Sequence, residues 1–391
     1  MPWKECDIMS ERMIFVSRLL AGERMAELCR EFSVSRKTGY KIFSRYKDSG
    51  LDGLKNISRA VRSHPNQTPR VIEKAIIELR NEHPTWGAPK IKAILERRYT
   101  KVAACSTIHA ILIRHDLITK SRRRSVTYKS QGTDLSEVSA PNKLWCTDFK
   151  GQFKMGNDRY CYPLTITDQH SRYLIRCDAM ESINQEECIE AFENVFEEYG
   201  LPDAIRSDNG VPFASKSYFG LSKLSIFWLR MGIGIERIKP GCPEQNGRHE
   251  RMHRTLKAEA TKPAGTNILQ QQEKLDAFKE VFNNERPHQA LNMKIPVEIY
   301  KKSERKYKPI LESLEYPDFE YTYRVTKCGS ITLFNGKRLF VGVPFGGENL
   351  GIKKVEDGVW KLNFMNYELG FFDATNPKLE IAVNPFLTKE G

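Results

Sequence analysis

No run of 18 apolar residues occurs in this chain of 391 residues, so no membrane-spanning helix is expected. The opening stretch MPWKECDIMSERMIFV lacks both a long apolar core and a small-residue cleavage site. We therefore expect no secretory signal and a cytoplasmic, nucleoid-associated protein with no membrane partner. None of the nine cysteines forms a C-x-x-C pair, which excludes a zinc ribbon, and their odd number argues against a disulfide framework. Low-complexity segments are also missing.

What is abundant is positive charge, and it is localised. The formal net charge is +13. Residues 1–130 hold 27 Lys and Arg against 13 Asp and Glu, while the rest of the chain holds 35 against 36. A basic segment of this kind is the electrostatic footprint of a polyanion partner.

Residues 10–48 read as helices. Ile14, Val16, Leu19 and Leu20 precede Gly22, and Met25, Ala26, Leu28, Cys29 and Phe32 follow at helical spacing. After a turn at Ser33-Val34, Ser35 is placed as an N-cap. The next helix would expose Arg36, Lys37, Tyr40 and Lys41 near its start, where a helix-turn-helix makes its DNA contacts. Gly39 is a poor helix former at that position. A second unit repeats the pattern. VIEKAIIELRNEHP is followed by a turn, Pro89 suits the first position of a helix, and CSTIHAILIRHDL gives a third helix with Ser106 as cap. Trp86 reads as a core or turn aromatic. Lys120 to Arg124 opens a basic linker whose Arg122, Arg123 and Arg124 would track phosphates.

From residue 142 the pattern becomes α/β: three strands rich in aromatic and β-branched residues, then alternating helix and strand. SKSYFGLSKLSIFWLRMG is expected to be one helix. After about residue 310, apolar runs separated by Asn335-Gly336 and Asp357-Gly358 predict hairpins and a small β-barrel. The predicted organisation is a helix-turn-helix domain over 1–56, a linker over 57–69, a second such domain over 70–120 and a basic linker over 121–141. A mixed α/β domain over 142–305 and the barrel over 310–385 complete it.

The stretch GCPEQNGRHERMHRTLKAEA holds three glutamates. On a helix at about 100° per residue, Glu250 shares a polar face with Asn246, Arg254 and Lys257, whereas Glu259 points the opposite way. Glu244 precedes the helix in a glycine-proline loop. Asp148 lies in a strand whose neighbours look buried, where a carboxylate is costly unless paired or bound to a metal. Asp208 sits where a strand meets a turn. Asp148, Asp208 and Glu250 together would suit Mg²⁺ or Mn²⁺, which use few carboxylates and leave room for phosphate oxygens. Asp168 and His170 lie in a turn nearby. His249-Glu250-Arg251-Met252-His253 also fits the zinc-protease pattern H-E-x-x-H, but no third ligand is in sight.

Three ordered motifs carry a resemblance: Trp145-x-x-Asp148, Ser207-Asp208-Asn209-Gly210, and Pro243-x-Gln245-Asn246-Gly247-x-x-Glu250. With LCREFSVSRKTGYKIFSRY, HPTWGAPKI and NNERPHQALNMKIPVEIY, the chain resembles the integrase-core, DDE-type transposases of insertion sequences, with retroviral integrases as more distant relatives. The resemblance implies a ribonuclease-H-like core and binding of double-stranded DNA at the terminal inverted repeats. It also implies cleavage and strand transfer with two metal ions per site, and a homo-oligomer of two or more chains. By motif position, Asp148, Asp208 and Glu250 take the catalytic and metal-binding roles. Lys257 matches the lysine that holds the DNA end, with Arg254 assisting. Many relatives separate the second acid from the glutamate by 35 residues. Here that spacing leads to Glu244, and 41 residues separate Asp208 from Glu250. Glu250 is preferred because the motif's glutamate follows the Asn-Gly, and an enlarged segment within 211–231 accounts for the excess. An inactive, repressor-like DNA-binding copy and a zinc protease are the alternatives.

Overall fold

A computed structural model describes residues 8–56, 67–118, 138–238, 243–309 and 312–381. Arg122, Arg123 and Arg124 therefore lie outside the described residues. The chain divides into two compact units, with the boundary between Thr68 and Pro69.

The first unit packs α1 (Ile8–Leu20), α2 (Met25–Glu31) and α3 (Arg36–Ser49) around Phe15, Val16, Leu28, Cys29 and Leu54. Ser35 caps α3 as its sequence suggests, its side chain accepting from the Thr38 amide. Gly39 is needed for close packing. A Cβ there would lie 2.7 Å from Cys29 Sγ and 2.9 Å from Met25 Sδ, so α2 approaches α3 only because the side chain is missing.

The second unit begins with α4 (Arg70–Glu82), α5 (Ala88–Arg98) and α6 (Cys105–Arg114), whose apolar faces enclose a fully buried Trp86. Pro89 lies in the first turn of α5 but is its second residue, after Ala88, and not its first as expected. Ser106 is not the cap of α6. The helix starts one residue earlier, with Ala104 in the extended N-cap conformation and no side-chain hydrogen bond.

A six-stranded sheet follows, from β1 (Leu144–Phe149), β2 (Phe153–Lys154), β3 (Tyr160–Asp168), β4 (Leu174–Met180), β5 (Ala204–Ser207) and β6 (Gly234–Arg237). Its path is β2-β3-β1-β5-β6, with β4 also paired to β3. β1 runs antiparallel to β3 but parallel to β5, which in turn is parallel to β6. On one face α7 (Gln185–Tyr199) and α8 (Lys223–Arg230) bury Phe192, Phe196 and Trp228 against Trp145, Ile175 and Ile205. On the other, α9 (Gly247–Glu259) and α10 (Ile268–Asn284) bury Met252, Leu256, Leu275 and Phe278 against Leu174 and Cys177. The sequence between Ser215 and Leu221 is not helical. A loop closed by an Ala214–Leu221 bridge occupies it, and α8 starts only after Ser222, which caps it.

The C-terminal strands do not form the expected closed barrel. β7 (Tyr321–Arg324), β10 (Asn349–Glu356), β11 (Val359–Phe364) and β12 (Tyr367–Asp373) make an open sheet in the order β12-β11-β10-β7, while β8 (Ser330–Thr332) and β9 (Arg338–Phe340) form a separate ladder. The break follows β9. Gly342 takes a left-handed φ of 126°, and a 3₁₀ turn over Val343–Phe345 brings in Pro344, which has no N–H to donate. The two predicted hairpin turns do form, with Gly336 and Gly358 at positive φ. Phe219, Leu221, Ile226 and Leu229, from the loop and α8, share the apolar core of this sheet.

Candidate active site

The site is built at the ends of parallel strands. Cys146 on β1 pairs with Arg206 on β5. Two residues beyond that pair come Asp148, near the end of β1, and Asp208, just past the end of β5. Asp208 leaves β5 in a turn that its own carboxylate stabilises by accepting from the Gly210 amide at 3.1 Å. A buried ion pair between Arg206 and Glu236, 2.9 Å, ties β5 to β6 just behind it.

Helix α9 supplies Glu250 in its first turn, exposed, and is pinned to the sheet by the residues on either side of it. His249 and His253, i and i+4 on α9, are buried against β3. Thr165 Oγ1 lies 2.7 Å from Nε2 of both rings, Thr167 Oγ1 lies 2.9 Å from His249 Nδ1, and the Thr165 hydroxyl donates to the Asp148 carbonyl at 3.0 Å. With that hydroxyl proton committed, both Nε2 atoms must donate to Thr165. His253 Nδ1 is left with its lone pair 3.8 Å from Asp148 Oδ2. Burial drives His253 down to about 3 and His249 well below the ordinary histidine range, so both stay neutral. The H-E-x-x-H spacing is thus used for packing and hydrogen bonding. Among the described residues no group of three His, Cys, Asp or Glu gathers to hold a metal alone, which leaves a zinc site without its third ligand.

The other two acids act on Asp148. Burial, then the charge of Asp208 and more weakly that of Glu250, push the Asp148 carboxyl up to about 7. Among the described residues no lysine or arginine forms an ion pair with any of the three. Lys150 and Arg237 act on Asp148 and Asp208 only through space, so these carboxylates have no direct cationic partner. A divalent ion that uses one or two carboxylates and fills its other positions with water and phosphate oxygens fits such a set, and a closed cage is not required.

Lys257 is exposed on α9 and interacts electrostatically with Lys150, which lies two residues beyond Asp148. Arg254 lines a separate cavity on the other edge of α9. Arg36, Lys37, Tyr40 and Lys41 are all exposed along the start of α3. Asp168 is the last residue of β3, where the turn begins, and accepts from the Asn142 amide and from the amide and hydroxyl of Ser171. His170 bonds the Val138 carbonyl. Sequence reasoning missed Lys150, although strand alternation puts it on the same side as Asp148. It also missed Arg237, which feels the charge of Asp208 from β6 and carries no local signal.

Residues 138–243 and 231–296 each match an integrase core domain model, and residues 9–55 and 38–112 match homeodomain-like domain models. The chain is 24% identical over 249 residues to an insertion element IS407 uncharacterized 31.7 kDa protein of Burkholderia multivorans, covering 63% of this chain and 87% of that one. It is 23% identical over 273 residues to an insertion element IS476 uncharacterized 39.2 kDa protein of Xanthomonas euvesicatoria, covering 69% and 76%. Among solved structures, the HTLV-2 integrase catalytic core domain in complex with magnesium aligns at 19% identity and a TM-score of 0.32, over 41% of this chain and 97% of that one. By these sequence matches residues 138–296 are similar to integrase core domains, and most of the chain is similar to proteins of bacterial insertion elements.

Proposed function

We propose that this protein binds the terminal inverted repeats of an insertion sequence and catalyses cleavage and transfer of the DNA strand. What supports the proposal is that the buried Asp148 feels the charges of both Asp208 and Glu250, while among the described residues no lysine or arginine forms an ion pair with any of the three. Asp148 and Asp208, with Glu250, would hold Mg²⁺ or Mn²⁺, two ions when DNA is bound. Bound there, the metal would activate the attacking water or 3′-hydroxyl and stabilise the leaving oxygen. The protein's own part is placement. Thr165 and His253 fix the strand that carries Asp148, while Lys257 and Lys150 hold phosphates beside the acids. The two N-terminal helical units would read the repeats, with α3 entering the major groove through Arg36, Lys37, Tyr40 and Lys41. Joining two DNA ends calls for two or more chains.

A strand-transfer assay on duplexes carrying the element's ends tests this. Asp148→Asn and Glu250→Gln should each lower transfer by roughly 10²–10³-fold or more, the scale seen when one electrostatic group is lost from an active site, with DNA affinity retained. A wild-type protein that binds these ends but never cuts them, with either metal, would reduce the chain to a DNA-binding repressor.

A further inference from the structure

Helix α9 carries positive charge on two edges. Lys257 lies on the Glu250 edge, whereas Arg251 and Arg248 lie about 100° and 160° away around the helix. This second edge looks into a cavity of about 700 Å³. Its lining gathers six cations from four elements: Lys90 of α5, Arg172 of the β3–β4 turn, Arg248, Arg251 and Arg254 of α9, and Arg286 after α10.

Little opposes them. The one carboxylate in the lining, Asp168, already accepts three hydrogen bonds from Asn142 and Ser171. Arg286 is matched by Glu259 at 2.6 Å. Among the described residues, none of the other five forms an ion pair, and the buried Nη1 of Arg172 and Nε2 of His288 have no hydrogen-bond partner. Arg172 is set by a backbone in the left-handed region, φ 65°. The cations repel one another. Burial and Arg286 push the Lys90 amine down to about 8, and burial with Arg248 and Arg251 pushes Arg172 down to about 10. Converging, unpaired cations cost folding energy that a bound polyanion would offset. Forked arginines with free N–H groups suit phosphate oxygens in particular.

We infer that this cavity is a second phosphodiester site, in which a DNA strand is gripped between the second helical unit and the core, apart from the acid cluster. The cations are graded from rim to floor: Arg248, Arg251 and Arg254 are exposed, whereas Lys90, Arg172 and Arg286 are not. That arrangement suits a continuous strand entering over α9 better than a small anion held at one point. The identity of the ligand rests on the proposed function, but the site does not.

The test is the salt dependence of binding to a duplex, measured by anisotropy on the full-length protein from 50 to 300 mM KCl. Arg172→Gln and Arg251→Gln should each lower the slope of log K against log salt by about 0.9, and the double variant by about twice that. Arg172→Lys should keep the slope and weaken binding, because it keeps the charge and loses the fork. Should Arg172→Gln fail to fold, Arg251→Gln on the exposed rim decides alone. Unchanged slopes in folded variants would overturn the inference. So would pyrophosphate or ATP binding that the variants abolish while their DNA slopes stay the same, since the cavity would then take a free phosphate compound. Glu250→Gln separates the two proposals: it should lose strand transfer and keep the full slope. Slopes that fall as expected in a protein that never cuts DNA would sink the transposase proposal and leave this one standing.

Discussion

The Thr165 hydroxyl touches both imidazoles of α9 and the carbonyl of Asp148, so one oxygen joins the helix that carries Glu250 to the strand that carries Asp148. Thr165→Val keeps the shape and leaves two buried ring N–H groups unpaired, at a cost of about 1–3 kcal/mol each. We predict a lower melting temperature and a loss of strand transfer of roughly 10–100-fold, typical of groups that orient metal ligands, with DNA affinity intact. Transfer at the wild-type rate would show that the network does not orient the acid. Asp148 gives a pH dependence. Its folded carboxyl titrates near 7, above its ordinary range, so the metal-free protein loses stability as pH rises from that range through about 7. Above 7 a metal no longer has to displace a proton. The gain in melting temperature from Mg²⁺ should therefore grow between pH 6 and 8, and a gain that is flat with pH would contradict the placement of the metal on Asp148.

Among the elements, α3 depends on two small residues. Ser35→Ala removes its N-cap and should cost about 1 kcal/mol. Gly39→Ala improves helix propensity by up to about 1 kcal/mol, but it drives a methyl group into Cys29 and Met25, and overpacking typically costs about 1–3 kcal/mol. The clash should win, and denaturant unfolding of the first unit should show net destabilisation. Unchanged or improved stability would mean that α2 moves aside freely. The contrast shows what the sequence makes legible. The Ser35 cap, Pro89, the two hairpin turns and the polar face of Glu250 are local signals, written within a few residues of where they act. Gly39 looked like a flaw because its reason, α2, lies ten residues upstream. The failure of the barrel to close depends on which strands pair, and periodicity does not encode that. The cationic cavity draws on positions 90, 172, 248–254 and 286, which only folding brings together. The acid cluster is equally non-local. The resemblance of three motifs points to it, and local sequence geometry does not.

For the molecule as a whole, buried histidines set the acid limit. His249, His253 and His288 are held neutral by burial, the last two down to about 3, while in an unfolded chain each would take up a proton near 6.5. Their contribution is complete above that value and is lost as pH falls, by up to about 1.4 kcal/mol per pH unit for each ring. Asp148 acts in the opposite sense, but it is one group against three. Thermal melts should show stability falling steadily from pH 6.5 to 4.5, and a plateau over that range would mean that the rings are already charged in the folded protein.

The stretch between the second aspartate and the glutamate has a consequence at this scale. Its Phe219 and Leu221 form part of the floor on which the C-terminal sheet rests. Trimming the loop around them would shorten the path between the two acids and, in the same stroke, strip the last sheet of its footing. One stretch of chain thus sets both the spacing of the acids and the seat of the last sheet.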